Sequence, residues 1–502
     1  MRTRFASTAA APAKTGAVPA VPEVRLRRAN DRPVRRDGAF VLYWMIAARR
    51  RRANFALQRA VELATQLGRP LFVLEPLRCD HRWASDRLHT FVLQGMADNA
   101  ADFAAAGVRY WPYVEPEPGA GSGLLEALGR RACAVVTDDF PCFFLPRMVA
   151  AAAAKLAVRL EVVDGNGLLP MRVGDKVFAR AFDFRRFLQK VLPAHLRDLP
   201  AGEPLRGFVQ PMAEVPRDVA KRWPMATPAW LEASPAALAA LPIDHTVGAV
   251  PTRGGAAAAG AALRTFLSGR LRDYGERRSH PDADCASGLS PYLHFGHLSA
   301  HQVFAALAKH EQWTPTRIRP AANGQRGWLG MSDAAEAFVD EFVTWRELGT
   351  NYCSQRDDYA DYESLPAWAK ATLEAHATDP REHVYSLEQF AASATHDPVW
   401  NAAQRQLRET GTMQNYLRML WGKKVLEWAR SPQQAMLILI ELNNRYALDG
   451  RDPNSYAGIS WVFGRYDRPW APERDVYGVV RYMSSANTVK KLQMKGYLRR
   501  WA

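Results

Sequence analysis

Four indoles in the C-terminal part of the chain, Trp400, Trp421, Trp428 and Trp461, have a spacing that suits two kinds of chemistry. Trp421 and Trp428 are seven residues apart. That is almost two turns of α-helix, so both rings fall on one face, roughly 10 Å apart along the axis. Closely spaced indoles can pass an electron by hopping. Large aromatic faces can also stack on nucleobases. Core packing produces the same spacing and is the commoner use of aromatic residues at helical intervals. The neighbouring motifs therefore decide the reading.

Glu341 and Trp345, in F-V-D-E-F-V-T-W, are four residues apart and share a helix face. A carboxylate there can accept hydrogen bonds from a base edge while the indole stacks on the ring. Spacing alone is met equally by a solvated glutamate beside a boundary tryptophan. Ser287, Gly288, Leu289 and Ser290 precede Pro291 and form a tight turn rich in hydroxyls and backbone N–H groups. Such a turn at a helix start can hold phosphate. Arg418, in M-Q-N-Y-L-R-M-L-W, would be costly to bury without a partner, and Asp449 in L-D-G-R-D is a candidate one. Asn443, in L-N-N-R-Y, is a residue type that helix interiors do not favour.

Two sets of elements must position these residues. Apolar runs at Ala39–Met45, Pro70–Leu74, Val108–Val114, Ala134–Thr137 and Leu160–Val163 read as strands. Helical patterns at Asn54–Leu67, Arg87–Ala106, Leu124–Arg131 and Arg147–Leu156 alternate with them. Alternation of this kind predicts a parallel, Rossmann-like α/β sheet over residues 38–199. No G-x-G-x-x-G follows the first strand, so a typical dinucleotide-binding domain is not expected. Residues 200–255 are rich in Pro, Gly and Ala and read as an inter-domain linker. From Ala256 to the C-terminus helical patterns dominate and predict an all-α domain, 256–502.

Composition bounds the partners. The net charge of +15 and pI near 9.7 suit a phosphate-bearing partner. No apolar run is long enough to predict a membrane span. Five cysteines are scattered without a C-x-x-C pair, which indicates neither a metal site nor a disulfide framework and suits a reducing compartment. Residues 1–37, rich in Ala, Pro and Arg, are expected to be a flexible basic extension.

From Ser287 onward these motifs resemble the photolyase/cryptochrome family, and among its members most closely the class II cyclobutane-pyrimidine-dimer (CPD) photolyases. The resemblance implies light-driven repair of CPDs in DNA by electron transfer from excited reduced FAD, anionic when active. Ser287, Gly288, Leu289 and Ser290 match the loop on the FAD pyrophosphate, and Tyr274 matches an aromatic residue at the cofactor. Arg418, Asn443 and Asp449 match residues beside the flavin ring, and Asp467 matches a further aspartate there. Glu341, Trp345, Asn415, Met419 and Trp461 match the lesion pocket. Trp421, Trp400 and Trp428 match the electron relay. The α/β domain implies a possible antenna chromophore, a deazaflavin or a folate. Gly411–Asn415 reads G-T-M-Q-N where class II relatives read G-K-M-H-G, and the paired histidines of (6-4) photolyases are absent. UV-damaged DNA is the implied partner, with a monomeric enzyme in the cytoplasm, associated with the nucleoid in a bacterium. The alternative implied function is a cryptochrome-like blue-light receptor that binds FAD without repair.

Overall fold

The computed structural model describes residues 19–319 and 324–502. Its N-terminal part is built on a six-stranded sheet: β1 (Leu26–Arg28), β2 (Phe40–Trp44), β3 (Leu71–Leu77), β4 (Arg109–Val114), β5 (Ala132–Asp138) and β6 (Leu160–Val163). The strand order is β1-β6-β5-β2-β3-β4. All neighbours are parallel except β1, which pairs antiparallel with β6. β2 and β5 are buried along their whole length, as their continuous apolar sequences require of central parallel strands. Successive side chains feed opposite cores. Leu42, Trp44 and Val135 face one layer, and Val41, Tyr43 and Val136 face the other. β3 runs past the expected end at Leu74 because Glu75 is buried with partners: Asn99, Tyr110 and Arg49 all donate to its carboxylate.

The helical half starts at Ala256. Its first helix, Ala256–Thr265, continues through a π-helical turn, Phe266–Arg270, into Leu271–Arg277. A second composite helix runs Asp333–Val339, a π segment Asp340–Trp345, then Arg346–Ser354. Four more helices carry the remaining motifs: Pro398–Thr410, Asn415–Trp428, Pro432–Tyr446 and Pro453–Val462. Proline opens three of these, where its missing N–H costs nothing. Side chains of Asp397, Gln414, Ser431 and Asp452 accept the free N–H groups at the four starts.

Two expectations about the connecting segments need correction. The proposed flexible extension, 1–37, is folded from Glu23 on. A short helical turn, Glu23–Arg25, leads into β1. Arg25 is fully buried there, 3.7 Å from Asp164 and donating to the Leu168 carbonyl, so its charge is partnered rather than solvated. Residues 1–18 lie outside the described residues. The linker, 200–255, contains short helices at Arg217–Arg222, Pro228–Leu231 and Pro235–Ala239. It lies against the sheet: Trp223 is buried, its carbonyl accepts from Trp111 Nε1, and Ala226 N–H donates to Pro112. Nor does the boundary at 199 separate two cores. Leu168, Phe184 and Leu188 pack in one cluster with Phe338 and Tyr352 of the helical half.

Candidate active site

The tryptophans form a continuous row. Trp400 lies between the other two: its ring stacks on Trp421 at 6.4 Å with planes 8° apart, and meets Trp428 at 6.3 Å and 68°. The two indoles that share the Asn415–Trp428 helix are thus bridged by a third from Pro398–Thr410. Trp400 Nε1 donates to the Trp421 carbonyl, and Trp421 Nε1 donates to Gln404 Oε1. All three indoles are buried in one apolar cluster.

One helical turn before Trp421, Arg418 reaches Asp449 at 3.2 Å. The approach of the Asp449 loop depends on Gly450. A Cβ there would stand 2.6 Å from the Asn443 carbonyl oxygen and 3.0 Å from Asn444 Cα. Arg451 then folds back, fully buried, and donates to the carbonyls of Asn444, Ala447 and Leu448 at and just past the end of Pro432–Tyr446. Asn443 is buried on that same helix, its Nδ2 donating to Asn444 Oδ1. The expected pairing of Arg418 with Asp449 is present, with Asn443 on the adjoining helix.

Gly288 has φ +70°, open space around its Cα, and lies between exposed or half-exposed Ser287 and Ser290. Leu289 is buried and anchors the turn in the core. Among the described residues no hydrogen bond or ion pair joins this turn to Arg418, Asn443 or Asp449. These residues fit a flavin dinucleotide in donor chemistry: hydroxyls and a bare glycine for a pyrophosphate, a cation and an amide for a ring. Gln404 Nε2, beside Trp421, is buried without a hydrogen-bond partner among the described residues.

Glu341 and Trp345 both lie in the π segment, whose widened turn departs from the α-helical spacing expected for them. Gly349 lets their helix lie directly on Pro453–Val462, since a Cβ there would meet Asn454 Cα at 2.8 Å. That close approach brings Trp345 and Trp461 together at 5.7 Å with planes 83° apart, both partly exposed. Glu341 is held by Arg278 at 2.5 Å. Burial raises the Glu341 pKa above the usual carboxylate range, and the Arg278 cation opposes that shift.

Arg278 is the residue that motif reading missed. Its guanidinium lies 5.7 Å over the Tyr274 ring, and its carbonyl accepts from Gln414 Nε2. It therefore ties Tyr274, Glu341 and the start of the Asn415–Trp428 helix into one wall. Asn415 is exposed at that helix start, and Met419, one turn on, is half-buried. Arg185 was missed too: it lies 4.6 Å over Trp345 and pairs with Asp340 at 2.6 Å, a residue that also holds Arg326. Neither arginine belongs to a local motif; only burial beside an acid distinguishes them. Asp467 accepts from Trp470 Nε1, and among the described residues no hydrogen bond or ion pair joins it to Arg418, Asn443 or Asp449.

No protein-family model matches the chain. The chain is 33% identical over 477 residues to the deoxyribodipyrimidine photo-lyase of Methanothermobacter thermautotrophicus, covering 95% of this chain and 97% of that one. The enzyme of the same name from Potorous tridactylus is 32% identical over 96% of this chain and 86% of its own. In fold, the chain resembles a class III photolyase from Agrobacterium tumefaciens with a TM-score of 0.64 at 19% identity, covering 92% of this chain and 86% of that one. It also resembles the Synechocystis sp. PCC6803 cryptochrome, with a TM-score of 0.66 at 16% identity, over 92% and 88% of the two chains. A relative one third identical over nearly the whole chain, on this fold, shows that the chain belongs to the photolyase/cryptochrome family.

Proposed function

We propose that this protein is a class II-type photolyase that splits cyclobutane pyrimidine dimers in DNA under blue light, with FAD as its cofactor. The observation that carries the reading is the wedge of Trp345 and Trp461 beside Glu341. Two partly exposed indoles at nearly right angles offer one face to each ring of a splayed pyrimidine pair. A carboxylate at their edge can bond the polar rim of a base. Flavin photochemistry alone needs neither feature.

Bound FAD supplies light-driven one-electron donation. The chain's own residues bind, orient and recharge. Ser287, Gly288, Leu289 and Ser290 present hydroxyls and backbone N–H groups to the pyrophosphate, and Tyr274 closes that side. Arg418, steered by Asp449, favours an anionic ring electrostatically, and Asn443 presents its amide there. A dimer must leave the duplex to reach the wedge, which costs a few kcal/mol. Stacking on Trp345 and Trp461 offsets that cost. Asn415 and Met419 flank the entry, and basic side chains hold phosphates. Trp421, Trp400 and Trp428 carry electrons inward to restore the reduced state.

The candidate seat for an antenna chromophore is the cavity lined by Arg49, Arg78, His89, Phe143 and His294. It lies at the carboxyl ends of β2, β3 and β5, where the strand order reverses and ligands of parallel sheets bind.

The test is loss of CPDs from a damaged oligonucleotide under blue light, with the flavin chemically reduced beforehand. Repair that stays in step with light dose is the expected result. A protein that holds reduced FAD and repairs nothing is instead a receptor of the cryptochrome kind.

A further inference from the structure

The tryptophan row does not stop at Trp428. That ring is 4% exposed, so it has little direct access to solvent. Tyr385 meets it at 5.9 Å and 80°, and His396 meets it at 4.9 Å and 65°. The Tyr385 N–H donates to the Trp428 carbonyl at 3.0 Å, which fixes the two chain segments together. Tyr385 is half-buried and His396 is exposed. They stand between the last indole and water.

Their hydrogen bonding is reciprocal. The His396 backbone N–H donates to Tyr385 Oη at 3.0 Å. Tyr385 Oη lies 2.8 Å from His396 Nδ1, so with the imidazole proton on Nε2 the phenolic O–H donates to Nδ1. His383 stacks on the far side of the imidazole at 3.7 Å. The charged and titratable groups facing His396 are His383, Asp397, Glu382 and Lys424. Burial first, then His383, holds the imidazole below its ordinary range, so the ring is neutral and free to accept near pH 7. Lys424 places a cation 5.4 Å over the Trp428 ring. A positive charge on that indole is therefore disfavoured, to an extent limited by the pairing of Lys424 with Glu427 at 2.6 Å.

We propose that Tyr385 and His396 form a proton-coupled terminus for the row. One electron passes from Tyr385 to oxidised Trp428, the phenolic O–H bond breaks, and its proton moves to His396 Nδ1. A neutral tyrosyl radical remains. The imidazolium returns the proton to water, and a thiol in solution restores the phenol by giving up one hydrogen atom. The inference rests on the flavin reading above, in which the electron's destination is light-excited oxidised FAD, reached through Trp421. Its consequence is lifetime. A charge left on Trp428 can return at once, whereas a deprotonated tyrosyl must first recover its proton.

Two oxidants test it on the full-length protein. The first is a blue flash on the FAD-loaded form without thiol. The second is azidyl radical made by pulse radiolysis, which oxidises tryptophan with no flavin involved. Electron paramagnetic resonance and transient absorption read the radical. The expected result with both is a tyrosyl signal that Tyr385→Phe replaces with a shorter-lived tryptophanyl one. Its formation is slower in D2O and falls as pH drops through the lowered pKa of His396. His396→Phe keeps Tyr385 but loses the isotope effect. An unchanged tyrosyl signal in Tyr385→Phe overturns the proposal, and so does a parent that shows only tryptophanyl radical with both oxidants. A tyrosyl signal from azidyl but none from light leaves this terminus standing and sinks the flavin reading instead.

Discussion

Arg278 performs three tasks with one side chain and one carbonyl: it pairs with Glu341, covers Tyr274 and receives Gln414. Glu341 is thereby held against Arg278 although burial disfavours its charge. Trp345→Ala is expected to weaken binding of CPD-containing DNA by roughly 1–3 kcal/mol, the cost of one lost stacking face. Glu341→Ala is expected to bind nearly as well but to repair fewer dimers per photon, since a hydrogen bond that steadies the charged dimer is lost. A gel-shift titration and a quantum-yield measurement separate the two. Trp421 lies elsewhere in the sequence of events. Trp421→Phe should abolish photoreduction of the flavin and leave repair by chemically reduced protein intact. Equal photoreduction in variant and parent would take Trp421 off the path.

Two helices of the candidate site contain a π segment, one just before Tyr274, the other containing Glu341 and Trp345. A widened turn leaves a carbonyl without its α-helical partner and re-aims the side chains around it, a feature concentrated at functional sites. Helix contacts are equally specific. Gly349 seats the Glu341 helix on Pro453–Val462, and Gly450 seats the Asp449 loop on Pro432–Tyr446. An added methyl at either position meets backbone, which cannot move aside cheaply. Gly349→Ala should therefore lose affinity for damaged DNA while keeping flavin. Gly450→Ala should lose flavin, because Asp449 is pushed away from Arg418. Flavin absorbance per chain after purification, alongside damaged-DNA affinity, gives the contrast. Flavin loss in both variants alike would contradict it.

Across the whole molecule, charge and burial set the response to salt and pH. With DNA as the proposed partner, a net charge of +15 predicts several phosphate contacts. The slope of log K against log salt should fall by about 0.9 for each phosphate neutralised on duplex DNA. A flat salt response would exclude a phosphate-held complex. Glu347 stands where the segment after β6 meets the helical half. Its Oε1 accepts from Leu168 N–H at 2.6 Å and Leu169 N–H at 3.3 Å. Burial pushes its pKa up to about 7, against the pull of Arg346. A raised carboxyl pKa means that the folded state holds the proton more tightly than the unfolded one. The stability is then fully present below the unfolded value, near 4.3, and is lost as pH rises toward 7. The loss is about 4 kcal/mol at most, at 1.36 kcal/mol per pKa unit. Glu347→Gln keeps an acceptor for both N–H groups and should flatten that fall. Urea midpoints at pH 5 and pH 8 for parent and variant measure it.

Local pattern was enough to place much of this protein. Central strands that read as unbroken apolar runs are buried on both faces, and the helical half expected from Ala256 opens with a helix at that residue. Trp421 and Trp428 were legible as a pair because one helix carries both. Spacing alone did not join the site's partners; the family resemblance named Trp400 and Trp461 but not the contacts they make. Trp400 stacks on Trp421 from another helix, and Trp461 reaches Trp345 only through the backbone approach at Gly349. Arg278, Arg185, Tyr385 and His396 belong to no motif, and each acquires its role from a neighbour far along the chain or from another element. The basic N-terminal stretch shows the same limit: Arg25 reads as solvated until Asp164, brought beside it by the antiparallel pairing of β1 with β6, provides its counter-charge. Sequence periodicity specifies which face of an element is apolar, because that depends on residues one turn apart. Which two faces meet, and which charges end up buried together, depends on packing between elements, and only the tertiary structure decides it.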